Sequence, residues 1–406
     1  MFRVVVLLGF LLHVVAEIVY VQVIFRHGDR APSDVYPLDP YGEEVWPRGF
    51  SQLTEKGYKR AQQLGKYLHT RYRTQHRLLG QKFENRKVFV RSSDKDRCIE
   101  TAMGVVSTLF PSEIVPIHTY SSHKYDLLLK PSSVRCDRAD ILVSGDKRKL
   151  YQKRNRGYKN LFAYLSHHTG THVSMSNIKN IYNTVHRESE SGLKQPEWVY
   201  KITDHNTTII EEMAELKRQE RIEAYNSFEK AKLSTGFLTG QLLKELRDKV
   251  VGISRKSMAL YSTHDATITS LLYNLGVSNQ LLPPYTAAVL LELHKINKHH
   301  FVKVLFRNST KEASPLQLPT CAVLCPWQDF VRFATPRSFQ TREEFEVACE
   351  NRRDSQKVHP KREETSSTLP LNPELIAVAG YSLLLLVVLY LYRAIPIKGL
   401  PASCEP

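Results

Sequence analysis

Three short polar runs carry residues suited to phosphate chemistry: Arg26 to Arg30 (RHGDR), Arg91 to Arg97 (RSSDKDR), and Ser262 to Asp265 (STHD). In the first, the His27 imidazole sits between Arg26 and Arg30, with Gly28 letting the backbone turn and approach a ligand closely. Guanidinium groups hold phosphate oxygens in pairs and keep their charge at any relevant pH. Arg91, at the end of a predicted strand, supplies a third. A histidine nucleophile must be neutral, and neighbouring positive charges disfavour imidazolium, so His27 should keep its lone pair in an acidic medium. The same charges stabilise a phosphoryl group in transfer. The departing alcohol needs a proton, and Asp265 beside His264 is the candidate general acid. It must be protonated to donate, so falling pH helps the acid while the arginines protect the nucleophile. Taken singly, RHG or HD is a common turn; the joint set gains weight from the elements that carry it.

Each run follows a predicted strand and precedes a predicted helix. Ile18 to Phe25 is an apolar run bounded by charge, the pattern of a strand buried on both faces. Behind Thr54, an N-cap, Leu53, Gly57, Ala61, Leu64, Leu68 and Tyr72 recur at helical spacing. Lys87 to Arg91 is a second strand, followed by a helix through Ile99, Met103, Val106 and Leu109. Met258 to Ala266 (MALYSTHDA) is a third instance of strand and polar turn, followed by the helical run ITSLLYNLG. The alternation predicts an α/β fold, a mixed and largely parallel central sheet flanked by helices. Ligands in such sheets bind beyond the carboxyl ends of the strands, where all three runs fall. From about Asp140 to Ser234 the chain reads as helix and polar loop, including an amphipathic stretch at Ile209, Ile210, Met213 and Leu216, so a helical insert or cap is expected there. Residues around 286–295 and 300–308, either side of Asn297, read as a hairpin at the sheet's edge. Trp198 and the basic run near Lys153 are candidates to shape the mouth of the cap.

These motifs, with the run LSTGFLTGQLL from Leu233, resemble the signatures of the histidine acid phosphatases, within the histidine phosphatase superfamily, over roughly Glu17 to Cys349. With the chain ends described below, the likeness is to the animal lysosomal and prostatic type. The resemblance implies His27 as nucleophile, Arg26, Arg30, Arg91 and His264 as phosphate ligands, and Asp265 as proton donor. It implies no metal or other cofactor, and often a dimer. It pairs Cys136 with Cys349 and Cys321 with Cys325; a third bridge of the animal enzymes has no cysteines here, which leaves Cys98 unpaired.

The ends bear on compartment. Arg3, the apolar run Val4 to Val15 and the small Ala16 form a secretory signal pattern, residues 1–16, with cleavage expected after Ala16. Leu375 to Tyr392 carries no charge and is followed by Arg393 and Lys398, the pattern of one membrane span with residues 393–406 in the cytosol. Residues 350–374, charged and rich in Ser, Thr and Pro, suit a stalk. The enzymatic body, 17–349, would face the lumen or exterior, at the lysosome or the cell surface. The tail lacks a spaced tyrosine signal, since Tyr392 abuts the membrane. Sequons at Asn206 and Asn308 agree with lumenal glycosylation.

Of six cysteines, Cys321 and Cys325 bracket a tight loop open to a local bridge, while zinc is disfavoured because no second ligand pair stands nearby. The formal charge is +16, and Asp146 to Lys159 holds seven basic residues against one acid. That run reads first as a solvated helical face, and alternatively as an attractor of anionic substrates or lipids. No zinc-finger, basic-zipper or RNA-recognition signature accompanies the charge, which argues against nucleic acid. A small-molecule or lipid phosphomonoester is the expected partner. The competing readings are a mutase that passes the phosphoryl group to a sugar phosphate, and a membrane-anchored protein that binds phosphate ligands with weak turnover or none.

Overall fold

The computed structural model describes residues 16–120, 125–308 and 312–350. The expected signal sequence (Ala16 apart), the stalk beyond Glu350, the membrane span and the tail lie outside the described residues. Among those described, no helix is long and apolar enough to cross a membrane.

In chain order the body runs β1 (Glu17–Arg26), α1 (Glu55–His69), β2 (Val88–Ser92) and α2 (Asp96–Leu109). Four helices follow without a strand: α3 (Asp137–Gly157), α4 (Lys159–Thr169), α5 (Ile178–Glu190) and α6 (Ile209–Glu223). Then come α7 (Phe228–Val250), β3 (Met258–Thr263), α8 (Asp265–Asn274), β4 (Ala288–Ile296), β5 (His299–Arg307), β6 (Ser314–Leu316), β7 (Leu324–Pro326), α9 (Trp327–Ala334) and α10 (Arg342–Cys349). The sheet order is β2-β3-β1-β4-β5-β6, with β7 also on β5. β1 and β2 both run parallel to β3, so the three strands that precede the polar runs are neighbours and end together. Arg26 lies opposite Thr263 and Ser92 opposite Ser262.

The expected hairpin is β4 and β5, turning at Asn297 with φ 55°. It is not at the edge. β4 pairs β1 antiparallel on its other side, and β6 and β7 extend the sheet beyond β5.

Alternation along β1 explains its burial. Val21, Val23 and Phe25 pack with Leu64 and Leu68 of α1 and Val105 and Leu109 of α2, while Tyr20 and Ile24 face Leu242 and Leu246 of α7 and Ile268 and Leu271 of α8. Each such side chain contributes roughly 1.5–3 kcal/mol on burial. Thr54 caps α1 by accepting the Gly57 N–H. The buried stripe of α2 is Cys98, Ala102, Val105, Val106 and Leu109, rotated from the expected one, and Met103 is 49% exposed.

The insert has its own core, in which Phe162, Leu165, Val185, Met213 and Leu216 meet. Trp198 belongs to it, stacked on His168 at 5.8 Å, so it packs the insert and shapes no mouth. No residue of α3 is fully buried, and most of the basic residues in 146–159 are exposed, while Lys147 pairs with the buried Glu220 of α6. The expected boundary near Ser234 falls inside α7, whose later leucines serve the sheet; the chain leaves the insert between α6 and α7. Cys136 and Cys349 form one bridge (Cα–Cα 4.7 Å), Cys321 and Cys325 another (5.4 Å), and Cys98 is free and buried. Asn206 is exposed, and Thr208 of its sequon caps α6; Asn308 is exposed at the end of β5.

One buried carboxyl pair bears on pH stability. Neither oxygen of the buried Glu188 has a well-formed hydrogen bond, the Gln195 amide being its nearest donor, and Asp39 beside it has an unpartnered Oδ2. Burial first, then the Asp39 charge, pushes Glu188 up to about 8, so one proton is held between the two. The folded state therefore binds this proton more tightly than the unfolded chain. Its stabilisation is complete below about pH 4.5 and is lost as pH rises toward 8, an effect on the order of a few kcal/mol. His27, His186 and His264, all held low by burial, work the opposite way below about pH 6.5, so the wild-type melting curve alone is ambiguous. The difference in Tm between Glu188→Gln and wild type is expected to shift in favour of the variant as pH rises from 5 to about 8. A pH-independent difference would show that the pair holds no proton.

Candidate active site

The three polar runs converge on a cavity of about 250 Å³ beyond the ends of β1 and β3. A larger hollow of about 480 Å³ lies within the insert, lined by Tyr158, Tyr164, Lys201 and His205, but no strand ends there.

His27 is held on three sides. Its N–H donates to the Thr263 carbonyl, its carbonyl accepts from Thr286, and its ring Nδ1–H donates to the Gly28 carbonyl at 2.8 Å. Nδ1 thus carries the proton and Nε2 keeps its lone pair. Gly28 has a different task from the one its type suggests. A Cβ there would lie 2.4 Å from the Gly57 carbonyl oxygen, and a Cβ on Gly57 2.2 Å from that of Asp29. The glycines let the loop that carries His27 press against the start of α1.

Burial, and then the charges of Arg26, Arg97 and His264, holds His27 well below 6.5. His264, the N-cap of α8, is pushed down to about 3 by burial and then Arg97, and its Nε2 is 3.0 Å from the Ser93 hydroxyl. Arg26 is fixed by donating to the Pro283 carbonyl at 2.7 Å and by stacking over Tyr285 at 4.0 Å. Arg30 is pushed down to about 9 by burial, then Arg187 and Arg97. The Nε donors of Arg26, Arg97 and Arg221 are buried with no protein partner, as expected of a site that receives an anion.

Two expectations change. Arg91 is not in the cavity: its Nη2 pairs with the buried Asp126 at 2.8 Å. A side chain within a strand points to a face of the sheet, whereas a ligand beyond the strand ends is reached from the following turn. Arg97, in the first turn of α2, lines the cavity instead. Secondly, Asp265 is not poised as a protonated acid. Burial alone would raise its carboxyl, but Arg221, Arg26, Lys217 and His27 outweigh burial and hold it well below the usual range. Arg221 Nη2 lies 3.3 Å from Oδ2, and the start of α8 adds its own positive field.

The insert supplies residues that no motif flags. Asn183 and Arg187 from α5, and Lys217 and Arg221 from α6, line the same cavity. Lys217, Arg221 and Tyr225 recur every four residues, a stripe visible in the sequence whose destination depends on how the insert folds over the sheet.

A mixed α/β sheet with a neutral histidine and clustered arginines beyond its parallel strand ends defines a phosphate-handling α/β enzyme. The profile of the histidine phosphatase superfamily (branch 2) matches residues 17–307, and the chain belongs to that family. Human prostatic acid phosphatase is 34% identical over 336 residues, covering 79% of this chain and 85% of that protein. Human lysosomal acid phosphatase is 32% identical over 334 residues, covering 78% and 77%. The apo phytase of Hafnia alvei shares the fold, with TM-score 0.65 at 16% identity over 83% of this chain and 98% of that one. The protein is an acid phosphatase, a phosphoric monoester hydrolase.

Proposed function

We propose that the protein hydrolyses phosphate monoesters through a phosphohistidine on Nε2 of His27. The observation that carries this reading is the Nδ1–H bond to the Gly28 carbonyl, which aims a neutral Nε2 among Arg26, Arg30, Arg97 and His264. The Nε2 lone pair attacks phosphorus as the ester P–O bond breaks, and the guanidiniums balance the equatorial oxygens. Asp265 passes a proton to the leaving oxygen. Water then attacks phosphorus, the P–N bond breaks, and the proton taken from water returns to the carboxylate, releasing inorganic phosphate.

Because Asp265 is anionic in the free enzyme, the proton arrives with the substrate as its monoanion, and the bound phosphate offsets the cations that hold the carboxyl low. The signal and membrane-span patterns, together with relatives named for the lysosome and the prostate, support a lumenal or extracellular catalytic body anchored by one span.

Rapid quench into alkali after mixing with a phosphorus-labelled aryl phosphate tests the intermediate. The expected product is an alkali-stable, acid-labile label on a peptide containing His27. Turnover with no such label in the pre-steady state would overturn the covalent route, and label passed to an added sugar phosphate would favour the mutase reading.

A further inference from the structure

The cavity holds more positive charge than one phosphoryl group can meet. Arg26, Arg30 and Arg97 stand on the strand side, with Lys130 at the rim, while Arg187, Lys217 and Arg221 come from the insert. Asp265 is the only carboxylate among the lining residues. Of these three insert cations, Arg221 alone has an ion pair among the described residues, to that same Asp265. Arg187 is buried and contacts a neutral partner, its Nε lying 3.3 Å from the Tyr285 hydroxyl. Lys217 rests over the Tyr182 ring at 4.5 Å.

Such crowding is unfavourable in the empty site: burial and then the Arg26 charge push Lys217 down to about 7. A structural use for these cations would pair them with acids. Elsewhere in the insert that is done, as Lys147 and Lys179 with Glu220. At the cavity it is not, and a phosphate group facing Arg26, Arg30 and Arg97 on the strand side leaves Arg187 and Lys217 uncompensated.

We propose that the insert wall, Arg187, Lys217 and Arg221, is a second anion subsite, and that the preferred substrates are small phosphate monoesters bearing another anionic group close to the ester. This rests on the reading above, in which the strand-side arginines hold the transferring group. The cavity volume of about 250 Å³ restricts the remainder of the substrate to a few heavy atoms within the walls. A carboxylate or a further phosphate supplies the second anion; the subsite chemistry is shared.

Competitive inhibition of the full-length enzyme by non-hydrolysable phosphonates tests this at about pH 5.5. High ionic strength screens long-range steering. Methylphosphonate offers one anion, phosphonoacetate a phosphonate with a carboxylate, and methylenebisphosphonate two phosphonates. At least one of the doubly anionic compounds is expected to bind about tenfold more tightly than methylphosphonate. That advantage should shrink toward unity in both Lys217→Met and Arg187→Met. Equal inhibition by all three compounds in the wild type, a measurement independent of variant folding, overturns the subsite. An advantage undiminished in both variants also overturns it. Neither result touches the phosphohistidine, whose trapping stands as a separate measurement, so failure of the subsite and failure of the mechanism are distinguishable.

Discussion

Replacing Arg97 by alanine is expected to lower kcat by about 10²–10³-fold, whereas Arg91→Ala leaves the chemical step standing. The two arginines differ by six positions in one polar run, but the sheet separates them. Arg97 lines the cavity and, after Arg26, is the strongest charge that holds His27 in its neutral form. Its removal takes away a donor to the phosphoryl oxygens and lets the His27 pKa rise toward its ordinary value. An acid limb absent from the wild type should then appear in kcat/KM, with activity falling as pH drops and His27 gains a proton. Arg91→Ala acts on the fold: it strands the buried Asp126 carboxylate and should cost on the order of 3 kcal/mol of stability. Arg91→Lys, which can still reach that carboxylate, is expected to recover most of the loss. Measured kcat/KM against pH, beside denaturant unfolding for each variant, separates the roles. An Arg91→Lys enzyme that is stable but slow by a hundredfold would return Arg91 to the site.

What could be read in the sequence followed from locality. Strand, polar turn and helix are consecutive in the chain, so the placement of His27 and His264-Asp265 at strand ends needed only periodicity and the rule for parallel sheets. Assigning the third arginine required knowing where β2 stops and which way its last side chains face, which pattern alone does not resolve. The hairpin was legible as a hairpin; its place inside the sheet depended on β6 and β7, each three residues long and without a periodic signal. Gly28 looked like a ligand-facing glycine because its partner, Gly57, is distant in sequence and meets it through packing. Arg187, Lys217 and Arg221 escaped for a similar reason, since a charged stripe on a helix is usually solvated, and only the docking of the insert over the strand ends turns this one inward. The downward pull on the Asp265 carboxyl was not legible for the same reason, since it comes from Arg221, Arg26 and Lys217.

That pull makes the origin of the acidic optimum a testable matter. In the free enzyme Asp265 is held well below the ordinary carboxylate range, His27 well below 6.5, and His264 at about 3. All three are displaced downward, and a group displaced downward whose deprotonated form is the active one gives an acid limb, so none of them supplies a basic limb in kcat/KM on the alkaline side. The group that does titrate is the substrate, whose monoanion loses its proton near pH 6. The fall in kcat/KM on the alkaline side should therefore track the substrate's second pKa, moving to lower pH for electron-poor aryl phosphates and to higher pH for alkyl phosphates. Lys217, at about 7, is the enzyme group nearest this window, and measuring the series in Lys217→Met removes its contribution. Asp265→Asn should then lower kcat by about 10²–10⁴-fold for an alkyl phosphate, whose alkoxide cannot leave without a proton. For p-nitrophenyl phosphate, whose phenolate leaves unaided, the loss should be much smaller. The same variant frees Arg221 from its carboxylate partner, so inorganic phosphate should bind more tightly while turnover falls. A purely structural role for Asp265 would weaken phosphate binding and slow both substrates alike. A basic limb fixed at one pH for every substrate, in the wild type and in Lys217→Met, would mean that the carboxyl carries its own proton in the free enzyme.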